Sequence, residues 1–198
     1  MKFLHIADVH LGLAPDAGKP WSSRRQQDIW DSFREVLAVA EREKVDLVLI
    51  AGDLFHRQPL MRELKQVNEL FSGLTRTKVA LIAGNHDYMH PRSNYRGFSF
   101  AENVIFFDRE QIKGVELPEY QACIYGLSYW HKEITDGLYD ALRPKDPAKI
   151  NILLAHGGDA KHIPMSEAAL RQNGFDYVAC GHIHKGGQII KNKAVMAG

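Results

Sequence analysis

The sequence predicts an α/β domain with parallel strands early in the chain and mixed or antiparallel strands later. Nearly unbroken apolar runs at 45–51, 79–83 and 150–155 are typical of strands that are covered on both faces. Helical patterns separate the early strands, whereas several later strands are shorter and divided by turns. This order of elements favours helices packed in layers on sheets.

The first half of the chain alternates strand and helix. Run 3–7 predicts a short strand, and Ser22 or Ser23 is expected to cap a helix that reaches about residue 44. That helix has one apolar face, formed by Ile29, Phe33, Val36, Leu37 and Ala40. Strand 45–51, helix 61–72 and strand 79–83 follow, and the second helix is expected to turn inward Leu64, Val67, Leu70 and Phe71.

The second half is richer in strands. One short helix is expected at 166–172, and Gly174 is a suitable stop for it. The remaining apolar runs predict strands at 104–107, 115–117, 122–125, 150–155, 176–180, 188–190 and 194–196. We expect residues 1–198 to form a single domain.

Composition excludes few functions. The 198 residues carry 25 Lys and Arg against 24 Asp and Glu, so bulk charge gives no argument for nucleic acid or a membrane surface. The N-terminus meets Asp8 too early for a secretory signal, and no apolar run has membrane-spanning length. Cys123 and Cys180 lie in apolar stretches, which favours free buried thiols in a reducing compartment. We therefore expect a cytoplasmic protein that contacts no membrane.

Five short segments contain residues of the types that bind metals, and each follows an apolar run. The segments are Asp8-Val9-His10, Gly52-Asp53-Leu54-Phe55-His56, Gly84-Asn85-His86-Asp87, His156-Gly157-Gly158 and Gly181-His182-Ile183-His184. Ligand sites in α/β sheets form beyond the carboxyl ends of the strands, where such segments can converge. Spacing of two residues would point Asp8 with His10, and His182 with His184, to one side if strand geometry continued.

The residue types indicate a site for two metal ions. Oxygen and imidazole ligands without thiolate suit manganese, iron or zinc. Asp53 is the best candidate for a bridging carboxylate, and Asn85 binds without adding charge. His56 and His86 are left out of the ligand set as candidates for proton donation to a leaving oxygen, with Asp87 orienting the His86 ring. Two adjacent metals acidify a water molecule for attack on phosphate esters.

Each motif taken alone has an ordinary explanation. Gly-Asn-His-Asp can be a tight turn, and Gly-Asp after a strand is a common turn as well. Only the joint occurrence of all five at strand ends favours the metal site.

The motif set resembles the calcineurin-like metallophosphoesterases, and covers the chain from Asp8 to His184. His10-Leu11-Gly12 and Gly-Asp-Leu-Phe-His at 52–56 resemble SbcD-type DNA repair exonucleases within that family. The resemblance implies a four-layer αββα sandwich with two mixed β-sheets. It also implies one ion held by Asp8, His10, Asp53 and His184, and another held by Asp53, Asn85, His156 and His182. His86 would be the catalytic histidine, and His56 would assist catalysis or substrate handling.

The function implied is hydrolysis of DNA phosphodiester bonds, exo- or endonucleolytic, with Mn²⁺ as the usual metal and Fe or Zn as alternatives. The family works with an SbcC-type ATPase and can form homodimers, whereas its C-terminal cap domain is expected to be absent from residues 1–198. Absence of the cap and a near-neutral charge favour the alternative, a small-molecule phosphodiesterase or phosphatase with the same dinuclear site. A non-catalytic scaffold ranks third, because no ligand is missing.

Overall fold

The computed structural model describes residues 1–197, which form two β-sheets and three α-helices. The first sheet has the strand order β1-β2-β3-β4, and the second has the order β5-β6-β7-β8-β10-β9. The first sheet comprises β1 (Phe3–Ile6), β2 (Leu47–Ala51), β3 (Lys78–Ile82) and β4 (Val104–Phe106). The second comprises β5 (Lys113–Leu117), β6 (Ala122–Gly126), β7 (Ile150–His156), β8 (Tyr177–Gly181), β9 (Gly187–Ile190) and β10 (Ala194–Met196). The helices are α1 (Ser22–Arg42), α2 (Met61–Ser72) and α3 (Glu167–Gln172).

The two sheets differ in strand direction. Every described pair in the first sheet is parallel. The crossovers contain α1 between β1 and β2, α2 between β2 and β3, and a longer segment with a 3₁₀ turn at Asn94–Gly97 between β3 and β4. In the second sheet β5 and β9 run antiparallel to their neighbours, and the central pairs are parallel. The expected α/β architecture with two sheets is confirmed, but mixed strand direction is confined to the second sheet.

Side chains of β2 divide between two apolar layers. Val48 and Ile50 pack in a cluster with Phe33 of α1 and Phe71 of α2. Leu47, Leu49 and Ala51 face the second sheet and pack with side chains of β6, β7 and β8. The strand is fully buried, as its unbroken apolar sequence predicts.

The outer face of the second sheet has its own apolar cluster. Leu153 of β7 and Val178 of β8 pack there with Leu170 of α3. The layers therefore run helix, sheet, sheet, helix. This arrangement holds the carboxyl ends of several strands at one edge, where the candidate site lies.

The start of α1 corrects one expectation. Trp21 is the N-cap, with a near-helical backbone (φ −92°, ψ −4°) and no side-chain capping bond. A hydroxyl cap requires an extended residue before the first turn, and the chain instead enters from a turn in which Ser22 N–H donates to the Lys19 carbonyl. Neither Ser22 nor Ser23 therefore caps the helix.

Both cysteines are buried and free. Within residues 1–197, no helix combines the length and the apolar character that crossing a bilayer requires.

Candidate metal centre

The five motifs converge where the two sheets meet. Backbone bonds tie the first motif to the second, since Asp8 N–H donates to the Gly52 carbonyl at 3.1 Å and His10 N–H to the Asp53 carbonyl at 3.0 Å. Across the sheets, His182 N–H donates to Asp8 Oδ2 at 2.9 Å. Backbone N–H groups thereby fix segments that are far apart in the chain, two of them through carbonyls and one through the Asp8 carboxylate.

One group of ligand atoms surrounds the end of β1. His10 Nε2 lies 3.2 Å from His184 Nε2, and His184 Nε2 lies 3.5 Å from Asp8 Oδ1. Asp53 Oδ2 is 4.0 Å from His10 Nε2. Three of these side chains, from Asp8, His10 and His184, offer atoms close enough together to hold a single ion.

A second group lies on the other side of Asp53. His156 Nε2 is 3.4 Å from Asp53 Oδ2 and 2.9 Å from Asn85 Oδ1. His182 Nδ1 is 3.0 Å from the same Asn85 oxygen. Asp53 therefore lies between the two groups, which is the position that a bridging carboxylate needs.

Burial and charge set the protonation of this centre. Burial opposes ionisation of Asp53, but the neighbouring His156 and the His86 N–H outweigh burial and lower the Asp53 pKa. Burial likewise disfavours a charged His156, yet Asp53 and Asp8 raise the pKa of its ring to about 9. Burial lowers the pKa of His10 to about 4, which leaves that imidazole neutral. Asp53 is therefore ionised, and a cation that binds His156 must displace a proton from that ring.

Several of these residues have unusual backbone conformations. Four of the seven candidate ligands have positive φ, namely Asp8 (54°), His10 (52°), Asp53 (51°) and His182 (95°). Such conformations cost on the order of 1–3 kcal/mol each for non-glycine residues and cluster at functional sites. Strand geometry therefore does not continue into these motifs, and left-handed turns bring the side chains into the site.

Gly52 allows the close approach of the two sheets. Its φ is +88°, and a Cβ at this position would lie 2.4 Å from His156 Nδ1. A side chain here would displace the imidazole, so Gly-Asp at 52–53 has a packing role beyond that of a common turn.

His86 and His56 form a pair beside the first group. Their rings stack with centroids 5.1 Å apart, and the His86 ring lies 4.8 Å from that of His10. The His86 Nδ1–H donates to the His56 carbonyl at 3.0 Å. The second ring nitrogen of His86, Nε2, is left available for other partners.

Asp87 corrects an expectation, because it does not orient the His86 ring. It is fully buried, with Oδ2 accepting from Phe55 N–H at 3.1 Å and from the Tyr95 hydroxyl at 2.9 Å. Its Oδ1 accepts from Gly84 N–H at 2.8 Å. Burial, followed by the charge of Asp53, raises the pKa of Asp87. Asp87 therefore links the backbones of the second and third motifs from within the core, and its buried carboxylate does not reach a substrate.

The residues present fit divalent cations. Asp8 Oδ1 is buried without a hydrogen-bond partner among the described residues, and the His10 and His184 nitrogens are close enough to share a proton or a cation. Carboxylate, amide and imidazole donors are the set that first-row divalent metals prefer.

Sequence reasoning missed Asp159. Its Oδ2 lies 2.7 Å from His182 Nε2, and its carboxylate lies 2.9 Å from His162 Nδ1. The signal available was a carboxylate three residues after His156, in the same glycine-containing loop.

Comparison with known proteins agrees with this geometry. The family model for calcineurin-like phosphoesterases matches residues 1–186. The uncharacterized metallophosphoesterase YhaO of Bacillus subtilis is 31% identical over 204 residues, which cover 93% of this chain and 49% of YhaO. The DNA double-strand break repair protein Mre11 of Saccharolobus solfataricus is 28% identical over 202 residues (93% and 49%), and that of Methanocaldococcus jannaschii is 29% identical over 197 residues (93% and 52%). The chain spans about half the length of these relatives. It belongs to the calcineurin-like phosphoesterase family, as its five motifs indicate.

Proposed function

We propose that this chain is a metal-dependent phosphodiesterase that hydrolyses DNA phosphodiester bonds, in the manner of an SbcD-type repair nuclease. The observation that carries the proposal is the stacked His56 and His86 pair beside a cluster of seven ligand-type side chains, of which six are carboxylates or imidazoles and one is the Asn85 amide. Relatives named as DNA double-strand break repair proteins support DNA as the substrate.

Two ions are proposed, with Asp53 between them. One would be held by Asp8, His10, Asp53 and His184, and the other by Asp53, Asn85, His156 and His182. The two groups of distances around Asp53 support this division. When bound, such a pair neutralises charge on the phosphoryl group and acidifies water. We propose Mn²⁺ for the natural metal, with Fe and Zn as alternatives that the same donors accept.

His86 is proposed as the proton donor to the leaving oxygen. The His56 carbonyl accepts from Nδ1–H of His86, so the ring presents Nε2 to a substrate. In the imidazolium form Nε2 also carries a proton, and transfer of that proton to the leaving oxygen leaves the neutral ring with its remaining proton on Nδ1. The His56 ring stacked against it limits rotation of His86 and keeps Nε2 in place.

Several finer statements stay predictions. They are a single nuclease domain over 1–198, a cytoplasmic location, a homodimer and an SbcC-type ATPase partner. Each depends on the whole protein, and this chain spans about half the length of the relatives that it matches.

The test is cleavage of linear duplex and single-stranded DNA with Mn²⁺, beside a chromogenic phosphodiester such as bis-p-nitrophenyl phosphate. We expect both DNA and ester to be cleaved, and His86→Ala to abolish most of each activity. His131→Ala is the matched control, because that side chain is 74% exposed and lies outside the cluster.

Turnover of the small ester without DNA cleavage, even at low salt, would favour the small-molecule phosphodiesterase or phosphatase. The net charge of +1 favours that alternative, because binding to a DNA backbone needs many cationic contacts. Absence of turnover on all three substrates would contradict the proposed function.

A further inference from the structure

We propose that Asp159 is a positioning residue that holds the His182 imidazole in the tautomer whose Nδ1 can bind the second ion. The inference rests on the proposed metal site and assigns a role to a carboxylate that the five motifs leave out.

The two ring nitrogens of His182 have different neighbours. Nε2 lies 2.7 Å from Asp159 Oδ2, and Nδ1 lies 3.0 Å from Asn85 Oδ1. An ionised carboxylate only accepts hydrogen bonds, so the proton of the ring must sit on Nε2. In a neutral imidazole Nδ1 then carries a free lone pair, and that lone pair faces the second group of ligands.

Comparison with His156 shows why the His182 ring needs a hydrogen-bond partner of its own. The Nδ1–H of His156 donates to the Ala51 carbonyl at 2.8 Å, and its Nε2 faces Asn85 at 2.9 Å. The two rings therefore face Asn85 through opposite nitrogens, and in the neutral form that binds a metal they require opposite tautomers. A backbone carbonyl fixes one tautomer, and Asp159 fixes the other. Ligating histidines commonly depend on such outer partners for their orientation.

The loop that carries Asp159 has backbone support of its own. Gly158 N–H donates to the His162 carbonyl at 2.8 Å, and Ile163 N–H donates to the Ile134 carbonyl at 2.7 Å. Ile134 N–H in turn donates to the Lys161 carbonyl at 2.8 Å. The Asp159 side chain is 44% exposed, so its removal leaves no buried cavity. Variants at this position should therefore fold.

Asparagine separates a tautomer effect from a loop effect. Asp159 Oδ1 accepts from the backbone N–H groups of Lys161 and His162 at 2.8 and 3.0 Å. The carbonyl oxygen of asparagine can keep these two bonds while its NH₂ group faces His182 Nε2. A donor at that place favours the opposite tautomer, with the proton on Nδ1, which closes the ligand position.

A different use of the same residues is binding of a third ion by Asp159, His162 and His182, whose ligand atoms lie within 4.8 Å of one another. That use requires a bare Nε2 on His182, so it excludes the tautomer proposed above. The number of ions bound distinguishes the two.

The experiment compares the parent with Asp159→Asn, Asp159→Ala and a control, Asp136→Asn, at an exposed aspartate outside the cluster. Nitrogen-15 NMR of the metal-free proteins reports the His182 tautomer, and calorimetric titration with Mn²⁺ reports affinity and stoichiometry. We expect the parent and the control to carry the proton on Nε2 and to bind two ions. We expect the asparagine variant to shift it to Nδ1 and both Asp159 variants to bind the second ion about 10–100-fold more weakly.

His162→Gln is a second test that leaves the Asp159–His182 bond in place, and it should retain the second ion. A parent with its proton on Nδ1, a third ion in the parent, or unchanged affinity in both Asp159 variants would overturn the role of Asp159 alone. A parent that binds no Mn²⁺ would overturn the proposed metal site and this role with it.

Discussion

Alanine at Gly84 tests whether the site depends on the observed position of Asp53. A Cβ built on Gly84 would lie 2.3 Å from Asp53 Oδ1 and 2.7 Å from both Asp53 N and His156 Nε2. The φ angle of Gly84 is not in the left-handed region, so alanine can adopt the backbone and only space is at issue. The substitution therefore pushes on the proposed bridging carboxylate and on one proposed ligand of the second ion.

The size of the effect follows from the overlap. Cβ contacts under 3.0 Å essentially never occur, so Asp53 Oδ1 and the new methyl group must separate by at least 0.7 Å from their 2.3 Å starting distance. Asp53 has little room to yield, because it is 1% exposed and its Oδ1 accepts from His86 N–H at 2.9 Å. Displacements near 1 Å cost roughly 100-fold in turnover. We expect Mn²⁺ affinity to fall about 10–100-fold and overpacking to cost roughly 1–3 kcal/mol of unfolding free energy.

The assay is calorimetric titration with Mn²⁺, with urea denaturation to measure stability. Gly97→Ala is the matched control, because a Cβ there meets nothing within 4 Å. The control should bind two ions as the parent does. If Gly84→Ala binds both ions with parental affinity, the placement of Asp53 between two ions is wrong.

Three further predictions concern single side chains. Asp53→Asn should lose both ions in the same titration, because this carboxylate lies 4.0 Å from His10 Nε2 and 3.4 Å from His156 Nε2; retention of two ions would refute the bridging role. His86→Ala should keep both ions while turnover of the chromogenic ester falls about 10²–10⁴-fold, and parental turnover would exclude it as proton donor. Burial lowers the pKa of His5 from 6.5 to about 4. Between these two pH values the unfolded chain is protonated at this residue and the folded chain is not. From pH 6.5 to pH 4 the unfolding free energy of the parent should therefore fall by roughly 3 kcal/mol at most more than that of His5→Gln. Urea denaturation at each pH measures this, and an equal fall in the two proteins would contradict it.

Local patterns sufficed for most of the fold. The apolar run at 45–51 has no polar face, and the strand Leu47–Ala51 is buried on both sides. Helix α2 occupies Met61–Ser72, as its periodicity predicts, because an amphipathic pattern specifies both the element and the face it buries. The direction of strands in each sheet depends on which strands pair, and the pattern within one strand carries no information on that.

The candidate site was predictable in its members and less so in their contacts. Convergence of Asp8, Asp53 and His182 follows from strand ends at one edge. The role of Asp87 does not follow, because its carboxylate bonds Phe55 and Tyr95, 32 and 8 residues away, and turns from the neighbouring His86 into the core. Asp159 contacts His182 because of the conformation of the loop that carries it, and the spacing of apolar residues does not predict the conformation of a loop.

We propose that seven side chains hold two cations, one on each side of Asp53. Anomalous X-ray diffraction from crystals grown with Mn²⁺ measures this most directly, because the signal locates the metal independently of the protein. We expect two peaks, one among Asp8, His10 and His184 and the other among Asn85, His156 and His182. A single peak, or peaks away from Asp53, would contradict it.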